Sequence, residues 1–118
     1  MQKVYYLATC STCQRILKET GLISKGFMLQ DIKTEKITPA QIDELKTLSG
    51  SYESPFSRTA LKYRALGLKT QQLTEKDYRN YILEEYTFLK RPVVVSGNNI
   101  FIGNSKQTVI AINKEIKN

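Results

Sequence analysis

The chain has 118 residues, enough for one domain with a core that needs no cross-links, and 18 Lys and Arg against 11 Asp and Glu give it a net charge of +7. It contains no histidine, which excludes His-based catalytic triads, Cys–His dyads and imidazole ligands for a metal. The basic residues are spread from Lys3 to Lys117, a distribution that favours small anionic substrates or acidic partners over nucleic acid.

No segment of the sequence approaches the length of a membrane span, so no membrane partner is expected. The first ten residues, MQKVYYLATC, lack the long apolar stretch and the cleavage site of a signal peptide. We therefore expect a cytoplasmic protein. In a reducing cytosol, a static disulfide is not the expected reason for a pair of cysteines.

The first third of the chain predicts a strand, a helix and a second strand. Val4 to Leu7 is a short β-branched and aromatic run, typical of a buried strand. A helix follows that would end at Gly21, and its candidate N-caps are Thr9, Ser11 and Thr12. The second strand is expected near residues 27–32.

The middle of the chain predicts three helices, at residues 38–50, 57–66 and 74–86. The first is the most clearly bounded, because Thr38 and Gln41 can form a capping box and Gly50 can end the helix. Thr74 and Asp77 can open the third helix in the same way.

The last third of the chain predicts a hairpin and a closing helix. Pro92–Val95 is a buried strand by its composition, and the turn-forming residues Gly97–Asn99 link it to a second strand at Ile100–Ile102. Ser105 then caps a helix whose predicted inner face consists of Val109, Ile112 and Ile116.

This order of elements predicts an α/β protein on the thioredoxin-type plan. That plan is a strand–helix–strand unit followed by a hairpin and a helix, and a CxxC sequence beside such a unit points to it independently. The three middle helices, at about residues 38–88, would be an insertion between the βαβ half and the ββα half. All 118 residues would then form one domain.

The two cysteines, Cys10 and Cys13, lie where the first predicted strand gives way to the first helix. Unpaired N–H groups and the dipole at a helix N-terminus favour a thiolate, and CxxC contexts lower the pKa of a thiol. Cys10, nearer the loop, is the better nucleophile, and Cys13 is placed to resolve an adduct on Cys10. A structural zinc site is excluded because it needs four ligands, usually Cys and His, and the chain has two cysteines and no histidine. The alternatives to a reactive pair are a structural disulfide and two inert, half-buried thiols.

Four segments resemble the ArsC-like arsenate reductase family, which includes the Spx-type transcription regulators: YLATCSTCQR, SRTALKYRALGL, FLKRPVVV and IFIGNSKQTV. The resemblance covers essentially the whole chain in order. It implies a thioredoxin-like fold with a helical insertion.

The resemblance also implies roles for particular residues. Cys10 matches the catalytic cysteine that attacks arsenate in the reductases, and Arg58 and Arg91 match arginines that bind the oxyanion. Pro92 matches the proline that is cis beside the active cysteine. Without the resemblance, Arg58 would be interpreted as a solvated helix position beside Lys62. Arg91 could then be a surface charge at the start of a strand as readily as a site residue.

Two departures separate the chain from the glutathione-dependent reductases of this family. Tyr6 stands at the place of their histidine, and the arginine that they use after the hairpin is replaced around residues 102–103. Cys13, in contrast, is present as in the Spx-type branch. A resolving cysteine within the chain makes a thioredoxin-like or glutaredoxin-like protein the expected reductant.

The leading hypothesis is a thiol-dependent oxidoreductase in which the Cys10 thiolate attacks arsenate or a disulfide and Cys13 resolves the adduct. The sequence contains no motif for a bound metal, flavin or nicotinamide, so the expected electron donor is external: thioredoxin, or glutaredoxin with glutathione. The alternative is an Spx-type redox-sensing regulator that binds RNA polymerase through a CxxC switch. A third interpretation is a family fold whose activity has been lost.

Overall fold

Two units make up the computed structural model, which describes residues 1–117. The first unit consists of Met1–Glu35 together with the chain from Arg91 onward, and the second is Lys36–Lys90. This division does not test the expectation of a single domain with an insertion at about 38–88, which stays a prediction.

The first unit is built on a four-stranded sheet in the order β2–β1–β3–β4. Strand β1 (Gln2–Tyr6) runs parallel to β2 (Met28–Asp31) and antiparallel to β3 (Val93–Ser96), which forms a hairpin with β4 (Asn99–Ile102). Parallel neighbours need a crossover connection, and helix α1 (Ser11–Thr20) supplies it. All four predicted strands are confirmed, with bounds that differ by one or two residues.

The connectivity of the first unit confirms the predicted fold class. The chain forms β1–α1–β2 and later β3–β4–α5, where helix α5 is Lys106–Lys117. This is the thioredoxin-like arrangement, and the helical second unit stands between its two halves in the sequence.

One hydrophobic cluster of the first unit lies on one face of the sheet, and Tyr5, Val93 and Val95 are fully buried on the other face. Val4 is paired with Val94, and Val94 with Phe101, so the three side chains form a row across β1, β3 and β4. The row shares one hydrophobic cluster with residues of the helices and loops, namely Leu17, Leu22, Phe27 and Ile112. Of the predicted inner positions of α5, Ile112 is fully buried, whereas Val109 and Ile116 are half-buried.

The hairpin turn is one residue shorter than predicted. Ser96 is paired with Asn99, so only Gly97 and Asn98 lie between the strands. Gly97 has a φ of 60°, a left-handed conformation that two-residue hairpin turns require and that costs glycine little.

Two helices of the second unit begin as the sequence predicts. Helix α2 (Pro39–Ser49) has a capping box in which Gln41 N–H donates to Thr38 Oγ1 at 3.1 Å and Thr38 N–H donates to Gln41 Oε1 at 3.0 Å. Helix α4 (Glu75–Glu84) begins with the same motif, formed by Thr74 and Asp77. The third predicted helix therefore exists but ends at Glu84, and a 3₁₀ turn follows it.

The predicted helix over residues 57–66 is wrong at its start, because helix α3 is only Leu61–Ala65. The backbone before it is held in an extended conformation: Phe56 forms an isolated antiparallel bridge with Leu89, and Ser57 N–H donates to the Phe88 carbonyl at 2.7 Å. Ala60, the residue before α3, also has an extended backbone, with φ −60° and ψ 142°, so the helix cannot begin before Leu61.

Phe56 is also the centre of an aromatic cluster in the second unit. Its ring is stacked on Phe88 with centroids 5.2 Å apart, meets Tyr78 at 4.9 Å and meets the edge of Tyr63 at 6.1 Å. Phe56 is fully buried, so this cluster fixes the chain on both sides of Arg58.

None of the helices within residues 1–117 has the length and apolar character needed to cross a membrane.

We expect Ile112→Ala to lower the free energy of unfolding by about 2–5 kcal/mol, because the substitution leaves a cavity in the core of the first unit. Ile110→Ala, on the same helix but 47% exposed, should change it by about 0.5 kcal/mol or less. Denaturant titration followed by circular dichroism measures both. Equal effects of the two substitutions would contradict the assignment of the core face of α5.

Candidate active site

Cys10 is the N-cap of α1, so the prediction that Thr9, Ser11 or Thr12 caps this helix is wrong. The chain leaves β1 through a turn in which Cys10 N–H donates to the Leu7 carbonyl at 3.0 Å, and Cys10 is the last residue with an extended backbone. Its carbonyl accepts the first helical hydrogen bond, from Gln14 N–H at 3.1 Å. No side chain caps the helix with a hydrogen bond, which leaves the first N–H groups to face a negative charge at Cys10.

Cys13 lies one turn into α1 and differs from Cys10 in its exposure. Both are free thiols, but Cys10 is half-buried whereas Cys13 is fully buried. Residues three apart share one face of a helix, and the Cys13 thiol donates to the Cys10 sulfur. The two thiols are therefore direct neighbours in unlike environments.

The pKa of Cys10 lies below the usual value of a cysteine. Partial burial is the largest single influence and acts to raise the pKa, but it is outweighed. The backbone N–H groups of Cys13 and Thr12, the Cys13 thiol and the positive charge of Arg91 all favour the thiolate. The balance favours ionisation of Cys10 at lower pH than for an ordinary thiol.

The pKa of Cys13 moves in the opposite direction, to about 11. Burial is the main cause, and the negative charge that forms on Cys10 raises it further. The backbone of Leu7 and the charge of Arg91 oppose this rise only in part. Cys13 is consequently a protonated thiol at neutral pH.

Sheet topology brings Arg91 and Pro92 to the cysteines. Because β1 and β3 are antiparallel and Tyr5 is paired with Val93, the residues that follow β1 lie beside the residues that precede β3. The Arg91–Pro92 peptide bond is cis, the conformation implied by the resemblance, and the Pro92 carbonyl accepts from Gly103 N–H at 2.9 Å. Arg91 is half-buried, and its charge acts on both thiols.

Arg58 belongs to the second unit and lies in a loop, not on the helix predicted there. Its guanidinium donates to Glu53 Oε2 at 2.5 Å and to the Tyr78 hydroxyl at 3.1 Å, and it lies 5.6 Å from the centre of the Tyr78 ring. Glu53 is the main cause of a raised pKa for Arg58. The structure thus groups Cys10, Cys13, Arg91 and Pro92 in the first unit and shows Arg58 separately, bound to a carboxylate.

The sequence did not indicate Glu53, Tyr78 or Gln14 as site residues. Glu53 and Tyr78 lie 5 and 20 positions from Arg58 and reach it only through the fold of the second unit. Gln14 donates from its side-chain amide to the Ala8 carbonyl and so ties the loop before Cys10 to α1. The only feature of the sequence that could have pointed to Gln14 is its position directly after the CxxC segment.

Within residues 1–117, no group of three or more His, Cys, Asp or Glu side chains could hold a metal ion. Tyr6, which stands at the place of the reductases' histidine, is half-buried and packs against the hydrophobic core of the first unit.

The chain matches the model of the ArsC family over residues 5–112, which confirms the resemblance that the sequence segments indicate. An arsenate reductase from Vibrio cholerae is 17% identical with a TM-score of 0.79, over 94% of this chain and 96% of that one. A Streptococcus mutans UA159 protein described as a possible arsenate reductase is 27% identical with a TM-score of 0.72, over 90% and 92%. A Staphylococcus aureus COL protein, solved in solution, is 26% identical with a TM-score of 0.70, over 92% and 94%. None of the curated proteins compared matches the chain.

We expect alkylation of Cys10 by iodoacetamide to accelerate through a midpoint pH below that of a cysteine in the unfolded chain, because only the thiolate reacts. Arg91→Gln should move the midpoint to higher pH, since it removes a positive charge that favours the thiolate. Arg15→Gln is the matched control, because Arg15 is exposed and pairs with Glu19 at 3.4 Å.

Rates for the two cysteines are separated by peptide mapping of the alkylated protein at each pH. Cys13 should stay unmodified until the pH approaches its own pKa of about 11. A Cys10 midpoint equal to that of the unfolded chain, or faster modification of Cys13, would contradict the asymmetry of the two thiols.

Proposed function

Because the chain belongs to the ArsC family, a family of thiol oxidoreductases, we propose that it is an arsenate reductase-like enzyme with Cys10 as nucleophile and Cys13 as resolving thiol. The observation that carries this proposal is a pair of neighbouring free thiols at the start of α1, one half-buried and one fully buried, whose pKa values move in opposite directions. A nucleophilic cysteine must be an accessible thiolate, and a resolving cysteine should stay protonated, and so unreactive, until an adduct has formed. Cys10 and Cys13 fit these two requirements in that order.

In the first proposed step, the Cys10 thiolate attacks the arsenic atom of arsenate. An S–As bond forms, one oxygen of arsenate leaves as water after protonation, and arsenic is still As(V). In the second step, the Cys13 sulfur attacks the Cys10 sulfur, the S–As bond breaks, and its electron pair leaves with arsenic as arsenite, As(III). The Cys10–Cys13 disulfide is then returned to two thiols by an external dithiol.

The shift of the Cys13 pKa gives these steps an order. While Cys10 is a thiolate, its charge and its hydrogen bond with Cys13 both help to keep Cys13 protonated. Formation of the S–As bond removes the charge from the Cys10 sulfur, and with it these two influences. Cys13 becomes easier to ionise only when there is an adduct for it to resolve.

Arg91 and Arg58 are the proposed oxyanion ligands. Arginine presents a planar fork of donors that suits a tetrahedral oxyanion and stays charged at any working pH. Support for Arg91 comes from its charge acting on both thiols, whereas support for Arg58 comes from the family resemblance. To bind the substrate, Arg58 would have to exchange the Glu53 carboxylate for the oxyanion.

The remaining expectations from the sequence belong to the same proposal. A disulfide is the alternative substrate, since a thiolate attacks sulfur by the same chemistry. The proposed electron donor is thioredoxin or a glutaredoxin–glutathione system acting in the cytoplasm, with no bound cofactor.

Arsenate-dependent NADPH consumption tests the proposal when it is coupled in parallel to thioredoxin with its reductase and to glutaredoxin with glutathione. We expect turnover with thioredoxin that falls to background in both Cys10→Ser and Cys13→Ser, because one variant lacks the nucleophile and the other cannot form the disulfide. Turnover with glutathione alone that survives Cys13→Ser would reject the resolving role. Absence of turnover in either system would remove arsenate as a substrate and favour disulfide exchange or the polymerase-binding switch.

Glu53→Gln should lower the KM for arsenate about two- to fivefold with kcat unchanged, because an exposed ion pair that competes for Arg58 is lost. Glu84→Gln removes the same charge from an exposed position of α4 and serves as the control. An unchanged or increased KM in Glu53→Gln would show that Glu53 does not compete with the substrate for Arg58.

A further inference from the structure

A cavity of about 320 Å³ in the second unit is lined by three cationic side chains, Arg58, Arg64 and Lys69. Thr59 and Tyr63 also line it. No acidic residue is among those that line it within the described part of the chain. This concentration of charge contrasts with the even spread of basic residues along the sequence.

A turn at Gly67 lies between two of the residues that line this cavity, Arg64 and Lys69. Gly67 has a φ of 65°, and its N–H donates to the Arg64 carbonyl at 3.1 Å, so the chain reverses directly after α3. Leu68 is almost fully buried and anchors the 3₁₀ turn that follows. The reversal brings Lys69 to the cavity that Arg64 lines from α3.

The basic residues of helix α3 are exposed, but the helix itself is held in place by packing. None of its five residues is buried, so the core does not account for their identities. Tyr63 nevertheless holds the helix in place, because its ring meets the edge of the fully buried Phe56 at a centroid distance of 6.1 Å.

Two of the three cations have no counter-ion among the residues that the structure describes. Arg58 is neutralised by Glu53 at 2.5 Å, but among residues 1–117 neither Arg64 nor Lys69 forms an ion pair. Concave surfaces lined by one sign of charge raise the local concentration of the opposite charge. The cavity therefore carries about two uncompensated positive charges.

We propose that this cavity binds a small multivalent anion that carries phosphate or carboxylate groups, held by Arg64 and Lys69 with Arg58 at its edge. Arginine and lysine are the side chains that recognise these groups, and the volume matches the lower end of small-molecule sites. The site goes beyond the proposed reaction: it shares Arg58 with it, but it uses neither cysteine and is tested by binding alone.

Isothermal titration calorimetry at low ionic strength tests this site with two probes, inorganic pyrophosphate and citrate. The cavity variant is Arg64→Gln with Lys69→Gln. The control variant is Lys62→Gln with Lys76→Gln, which removes the same charge from exposed positions of α3 and α4 that do not line the cavity.

We expect saturable one-to-one binding that weakens at least about tenfold in the cavity variant and less than about twofold in the control, because only the first loses direct donors to the anion. Preference for pyrophosphate or for citrate identifies the ligand group as phosphate or carboxylate. In NMR titrations of the wild-type protein with the same probes, the amide chemical-shift changes should cluster at Thr59 and Tyr63. Equal weakening in the two variants, shifts spread over the basic surface, or no saturation with either probe would overturn the proposal.

Discussion

The start of helix α1 is the feature on which the proposed chemistry depends. Its exposed N–H groups, without a capping side chain, meet a sulfur at Cys10, and one turn later the same helix buries a second sulfur at Cys13. The helix period makes the two sulfurs neighbours. Burial raises the pKa of Cys13, whereas at Cys10 the effect of burial is outweighed by the helix N–H groups, the Cys13 thiol and the charge of Arg91. One local arrangement thereby creates both an accessible thiolate and a protonated thiol that lies in reserve.

The sheet places a positive charge, that of Arg91, beside the two sulfurs. Antiparallel pairing of Tyr5 with Val93 places the segment before β3 next to the segment after β1, so Arg91 and the cis Pro92 lie beside the loop that ends at Cys10. A residue 81 positions away in the sequence thus favours the Cys10 thiolate. The site therefore depends on the pairing of β1 with β3 and not only on the CxxC segment.

Features specified by a few neighbouring residues could be predicted from the sequence, whereas features that depend on tertiary contacts could not. The capping boxes at Thr38 and Thr74 are complete within four residues, and short runs of β-branched and aromatic residues mark the strands, so both were predictable. The loop at Arg58 was not, because Phe56 pairs with Leu89 across the second unit and keeps the helix from starting there. In the same way the CxxC spacing indicated a reactive pair, but the divergence of its pKa values and the Glu53 partner of Arg58 depend on burial and packing.

The proposed reaction depends on Cys13 resolving an adduct formed on Cys10. Its most direct test is a single turnover: the reduced protein is mixed with arsenate in the absence of any other thiol, quenched with acid and alkylating agent, and mapped by mass spectrometry. We expect one Cys10–Cys13 disulfide for each arsenite released. Arsenite released while both cysteines remain free thiols, or an adduct that persists on Cys10 beside an alkylated Cys13, would contradict it.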